Sequence, residues 1–186
     1  MNSDGRPGAR TFMVWDPVVR LIHWGVALTV LLNGAITEED GITHEWVGYV
    51  GAGLVVTRLV WGLIGTRYAR FTAFWPSISR ARQYLESLRR GDRTVHLAHN
   101  PLGTLMVYNM WATVLFLGLT GYLMTTPAFF GSFWVEGLHA LAFNWLVLCV
   151  IVHVAAVIYD TRRSGVNLVR AMIDGRKHVP EDRPIE

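Results

Sequence analysis

Apolar residues crowd into four long runs, separated by connectors that are either short and polar or rich in arginine. The runs extend from about Val18 to Ile36, His44 to Ile64, Leu102 to Met124 and Phe133 to Tyr159. A helix needs about 20 residues to cross a bilayer. The pattern therefore predicts four spanning helices, that is, an all-α integral membrane four-helix bundle. Asp16 followed by Pro17 is a start signal for the first span, the carboxylate accepting from free amides and proline fitting the first helical position. Thr43 is placed to cap the second span. Between the second and third spans, Ile78, Ala81, Leu85 and Leu88 recur at helical spacing among Arg80, Arg82, Arg89 and Arg90. This predicts an amphipathic helix over about 77–90, lying on an anionic leaflet, with a solvated surface helix as the alternative. Residues 1–14 are expected to fray.

Composition and charge sharpen this picture. A chain of 186 residues is one domain by length, and 52% hydrophobic residues take it out of the soluble class. Arg6, Arg10 and Arg20 precede or open the first span. Arg67, Arg70, Arg80, Arg82, Arg89, Arg90 and Arg93 fill the middle connector, and Arg162, Arg163, Arg170, Arg176, Lys177 and Arg183 follow the fourth span. Only Arg58 lies inside a span. The opposite connectors carry no lysine or arginine, and the first holds Glu38, Glu39 and Asp40. By the positive-inside rule both termini and the middle connector face the cytoplasm. The basic balance thus reports orientation in a membrane and implies no nucleic-acid partner. The first span reads as a retained helix, because it lacks a small-residue cleavage site and follows Trp15, Asp16 and Pro17. Cys149 is the only cysteine, so a haem would be held without covalent attachment. Trp15, Trp24, Trp46, Trp61, Trp75, Trp134 and Trp145 mostly sit near span ends, as an aromatic belt would.

The candidate chemistry lies in histidine. His139 and His153 are fourteen residues apart in the fourth run, which is about 21 Å along a helix and about 40° short of whole turns. One helix face therefore presents two imidazoles at opposite depths, where such side chains are costly and functional by default. His44 opens the second span at the depth of His139, and His23 lies at the depth of His153. Two pairs at matching depths are what two bis-histidine haems require, with His23/His153 and His44/His139 as axial ligands of the haem iron. Gly48, Gly51, Ala52, Gly53, Gly118 and Gly121 leave room for a flat macrocycle and serve close helix packing equally well. Arg58 falls at the His23/His153 depth, where pairing with a haem propionate would offset its burial; snorkelling to the interface is the alternative. His99 is placed to contact a propionate or pass protons to a quinone. His178 is expected to be structural.

These residues resemble the bacterial cytochrome b561 family, which includes the b-type cytochrome subunits of nickel–iron hydrogenases. The resemblance rests on Val14-Trp15-Asp16, Arg20-Leu21-Ile22-His23-Trp24, His44-Glu45-Trp46-Val47-Gly48-Tyr49, Thr57-Arg58-Leu59-Val60-Trp61 and His99-Asn100-Pro101-Leu102-Gly103. The His139/His153 pair and Ala171-Met172-Ile173-Asp174-Gly175-Arg176-Lys177 complete it. It implies two haems b in the bacterial inner membrane, with His23/His153 on the cytoplasmic side and His44/His139 on the periplasmic side. It also implies electron transfer between a periplasmic cytochrome c or hydrogenase-type partner and the quinone pool; the chain's dimerisation is left open. Short outer connectors and the lack of a long tail fit a stand-alone cytochrome somewhat better than a hydrogenase subunit. A superoxide:quinone oxidoreductase is the alternative, disfavoured because acidic outer connectors repel an anion. A haem-free metal transporter is more remote, since its ligands would gather in one polar site near the midplane.

Overall fold

The computed structural model describes residues 8–39 and 41–186, so Asp40 and Arg6 lie outside the described residues. Four helices are long and apolar enough to span a membrane: α1 (Pro17–Ala35), α2 (Ile42–Ile64), α4 (Pro101–Thr125) and α5 (Phe133–Ser164). Between α2 and α4 lie a single 3-10 turn, Phe71–Ala73, and α3 (Ile78–Arg89). After α5 come α6 (Leu168–Asp174) and a strand, β2 (Arg176–Pro180), which pairs antiparallel with β1 (Ala9–Met13). The protein is an all-α integral membrane four-helix bundle with a small two-stranded sheet that joins the segment before α1 to the segment after α6.

Local chemistry sets most of the helix starts. Asp16 Oδ1 accepts from the Val19 amide (2.9 Å) ahead of Pro17, and Asn100 Oδ1 accepts from the Gly103 amide (2.7 Å) ahead of Pro101. In each case a side chain satisfies a free amide and proline occupies a position that needs no donor. The second span departs from expectation, because Gly41 is its N-cap with no side-chain hydrogen bond and Thr43 lies inside the helix. The fourth runs five residues past Tyr159. Its extra turn is held by Arg163, which binds Asp160 Oδ1 at 2.8 Å and the Tyr84 hydroxyl at 3.0 Å. A charged pair satisfied in this way no longer forces the helix to stop.

The closely packed pairs are α1 on α2, α2 on α4 and α4 on α5. Glycine permits part of this: a Cβ at Gly51 would lie 2.8 Å from Thr29 Oγ1, and one at Gly118 would lie 2.8 Å from Ala52 Cβ. Val55, Val114 and Leu146 form the buried centre. Leu21, Leu28, Leu31, Val56, Leu63, Leu141 and Ile151 point outward, an apolar exterior that only lipid can cover at this extent. On α3 the apolar positions divide, with Ala81 and Tyr84 buried and Ile78 and Leu85 exposed. The helix lies against the bundle on one side and offers an apolar edge on another.

Residues 8–14 do not fray. Ala9 pairs with Pro180 and Met13 with Arg176, while Arg10 Nη2 donates to the Arg183 carbonyl at 2.7 Å. Val14 and Trp15 are buried in a cluster with Val19, Ala69 and Ala171. Trp15 therefore belongs to a core and not to an aromatic belt, whereas Trp24, Trp46, Trp75, Trp134 and Trp145 are exposed as a belt requires.

Candidate functional site

The bundle brings its histidines together in two facing pairs. The ring centroids of His23 (α1) and His153 (α5) are 6.4 Å apart, and those of His44 (α2) and His139 (α5) are 6.3 Å apart. With a metal–nitrogen bond of about 2.1 Å and a ring nitrogen about 1.1 Å from its own centroid, two imidazoles on opposite sides of one metal have centroids about 6.4 Å apart. Both pairs match that separation. Close packing joins α5 to α4, and the rings meet across the wider separations from α5 to α1 and α2. Among the described residues no three His, Cys, Asp or Glu side chains gather as a metal cluster. The arrangement is one of opposed pairs.

Threonine hydroxyls assign the tautomers of the pair at the acidic end. Thr120 Oγ1 lies 2.8 Å from His139 Nδ1 and donates its proton to the Phe116 carbonyl at 2.9 Å. A hydroxyl has a single proton, so toward His139 it accepts, Nδ1 carries the hydrogen and Nε2 keeps its lone pair. Thr37 repeats the logic, donating to Asn33 Oδ1 at 3.1 Å and facing His44 Nδ1 at 3.2 Å. Asn33 Nδ2 donates to the His44 carbonyl at 2.9 Å, which fixes the orientation of the amide. Hydrogen bonds of this kind orient a metal-binding imidazole and raise its basicity. At the arginine-rich end the His23 Nδ1 is buried without a partner. Thr37 and Thr120 were invisible to motif reading because neither stands at a fixed spacing from its histidine.

His99, whose ring lies within electrostatic reach of His23, His153 and Arg58, belongs to a second group of unsatisfied atoms. Arg58 is 3% exposed, its Nη2 donating to the Ala69 carbonyl at 2.9 Å and its guanidinium lying 5.0 Å from the Trp111 ring and 5.6 Å from that of Phe74. It does not snorkel. Arg58 Nη1, the Tyr108 hydroxyl and His99 Nδ1 are all buried without partners, and Phe74 touches the rings of both His99 (4.8 Å) and Tyr108 (6.0 Å). The arginine and tyrosine donors among them ask for an acceptor. Tyr108 carried no signal in the sequence beyond a polar atom in an apolar run.

Burial first, then repulsion from Lys177 and Arg58, holds the His99 pKa down to about 3. Lys177 is buried beneath the sheet, with Nζ donating to the carbonyls of His96 (2.9 Å) and Ala98 (3.1 Å), and it holds the turn that carries His99. His178 Nδ1 lies 3.0 Å from Thr11 Oγ1 across the sheet.

Burial pushes the Lys177 ammonium down from 10.5 to about 8. Between those values the unfolded chain holds the proton and the folded chain does not, so stability rises with pH across that window, the burial penalty being fully present below it. The melting temperature of the detergent-solubilised protein should climb from about pH 8 to 10 relative to a Lys177→Met variant. Parallel pH profiles for the two proteins would refute this role.

A four-helix membrane bundle that brings imidazoles together in two pairs across its interior is suited to hold haem. The family of prokaryotic cytochrome b561 matches residues 14–175, and the chain belongs to it. The chain is similar to a probable Ni/Fe-hydrogenase B-type cytochrome subunit of Azotobacter vinelandii, 22% identical and covering 92% of this chain and 90% of that protein. It is equally similar, at 22%, to the protein of that description from Bradyrhizobium diazoefficiens, with 93% and 87% covered. No solved structure matches it significantly. Membership makes it a b-type membrane cytochrome of electron transport with haem b as its cofactor. The residues present fit that group: opposed imidazoles at the right separation, and orphaned donors suited to an anionic carboxylate beside one pair.

Proposed function

We propose that the chain is a single-domain, two-haem electron carrier of the bacterial inner membrane. His23 with His153 holds one haem b at the arginine-rich end, and His44 with His139 holds the other at the acidic end. The observation that carries this reading is the pair of centroid separations, 6.4 and 6.3 Å, at two depths of the same helix. When bound, haem b supplies a one-electron couple. The two imidazoles of each pair would both ligate the iron and leave no site for oxygen. Thr37 and Thr120 keep Nδ1 of His44 and His139 protonated, so Nε2 would be the atom left to ligate iron. Arg58 receives a propionate of the haem at the arginine-rich end, supported by its burial and its free Nη1.

Orientation follows from charge. The arginine-rich end, with both termini, faces the cytoplasm, and the end bearing Glu38 and Glu39 faces the periplasm. Electrons pass between a periplasmic redox protein, a cytochrome c or a hydrogenase-type partner, and the membrane quinone pool. The hydrogenase names of the two relatives support that choice of partner. The acidic end keeps superoxide oxidation in second place, since it repels the anion it would have to collect.

The test is a reduced-minus-oxidised spectrum of the purified protein, with haem measured per chain as pyridine haemochrome. Two b-type haems with six-coordinate, low-spin bands are expected. One haem per chain under ample haem supply would overturn the two-site reading.

A further inference from the structure

At the arginine-rich end a cavity of about 290 Å³ opens between the end of α3, the turn after it, the last turns of α5 and the C-terminal tail. Four arginines line it, Arg93, Arg162, Arg163 and Arg183, and their donors are used very differently. Arg163 is committed to the protein, binding Asp160, the Tyr84 hydroxyl and the carbonyls of Asp92 and Thr94. Arg183 has a buried Nε without a partner and only a long 3.7 Å approach from Nη1 to the exposed Asp182. Arg93 and Arg162 enter no salt bridge among the described residues. The lining carboxylate, Asp92, is tied through Oδ1 to the amide and hydroxyl of Thr94 at 2.9 and 2.8 Å. Three guanidinium groups are thus left with donors directed at nothing in the protein.

The depth of the cavity identifies the anion. Tyr159 is 55% exposed and, with Leu88, forms its apolar wall; below it on the same face of α5, Val152, Ala155 and Ala156 are exposed where acyl chains run. Arg162 stands one turn further along the same helix, about 4.5 Å beyond Tyr159. Phosphate groups of a leaflet lie just outside the hydrocarbon, at that level. Guanidinium pairs phosphate oxygens through parallel N–H bonds, and basic pockets between spanning helices are suited to anionic headgroups. We propose that this cavity is a binding site for the phosphate of an anionic phospholipid, whose acyl chains lie along the α5 face beside Tyr159. Arg93, Arg162 and Arg183 contact the phosphate, and Arg163 holds the wall. Bound lipid would thereby tie α3, α5 and the C-terminal tail together.

The experiment is native mass spectrometry of the protein extracted from nanodiscs containing equal parts of a phosphatidylglycerol and a zwitterionic phosphatidylethanolamine. The wild-type chain should retain a phosphatidylglycerol. Arg93→Gln/Arg162→Gln should weaken that retention about thirtyfold, as the loss of two cationic contacts implies. Arg82→Gln/Arg89→Gln, which removes equal charge from exposed positions of α3, should retain it. Equal loss in both double variants would reduce the effect to general surface charge and overturn the site. Equal retention of the two lipids would overturn its preference for an anion. Displacement by inorganic phosphate alone would make it a free-phosphate site. An unchanged haem spectrum in each variant reports that the bundle is intact.

Discussion

A His139→Ala chain is expected to lack the haem at the acidic end and keep the one at the arginine-rich end, and His153→Ala is expected to do the reverse. In each variant pyridine haemochrome should fall by about half, and a potentiometric titration should lose one of its two waves, because a low-spin b-type site needs both axial imidazoles. Both residues lie on α5, which separates ligation from helix stability. Damage to the helix would lower both haems together, whereas loss of a ligand empties one site. His44→Ala should reproduce the His139 variant and His23→Ala the His153 variant, as the facing rings require. Matching spectra for the His23 and His44 variants would dissolve the pairing, even if total haem had fallen.

What the sequence revealed here follows from how local each feature is. Asp16-Pro17 and Asn100-Pro101 carry their own start signals, so α1 and α4 begin within a residue of expectation. Fourteen residues of helix place His139 and His153 at two depths whatever surrounds them. Gly41 in place of Thr43 as the cap depends on how the connector turns after α1. The pairing of Ala9–Met13 with Arg176–Pro180 joins segments separated by four spans and has no periodicity to betray it. Lys177 looked like one more cytoplasmic charge, and only the tertiary fold buries it at 4% exposure against two carbonyls. Thr37 and Thr120 have the same history. Residues that could ligate a metal stand out by chemical type, while those that orient them are ordinary residues made special by contact.

Replacing Arg58 by leucine should lower the reduction potential of the haem at the arginine-rich end and leave the other nearly unchanged. A cation favours the reduced haem, which carries one negative charge more than the oxidised form. For a separation on the order of 10 Å and an effective dielectric constant of about 20, one unit charge is worth about 1.7 kcal/mol, or roughly 70 mV for one electron. The propionate left without its partner acts in the same direction. Arg58→Lys should restore part of the potential, since it keeps the charge but not the planar group that lies over Trp111 and donates to Ala69. Haem content must be measured alongside, because a buried cavity beside Phe74 and Tyr108 could loosen the site. Full haem with an unchanged potential in Arg58→Leu would show that the guanidinium serves only to join α2 to the Ala69 turn, and the orphaned Nη1 would then need a different acceptor.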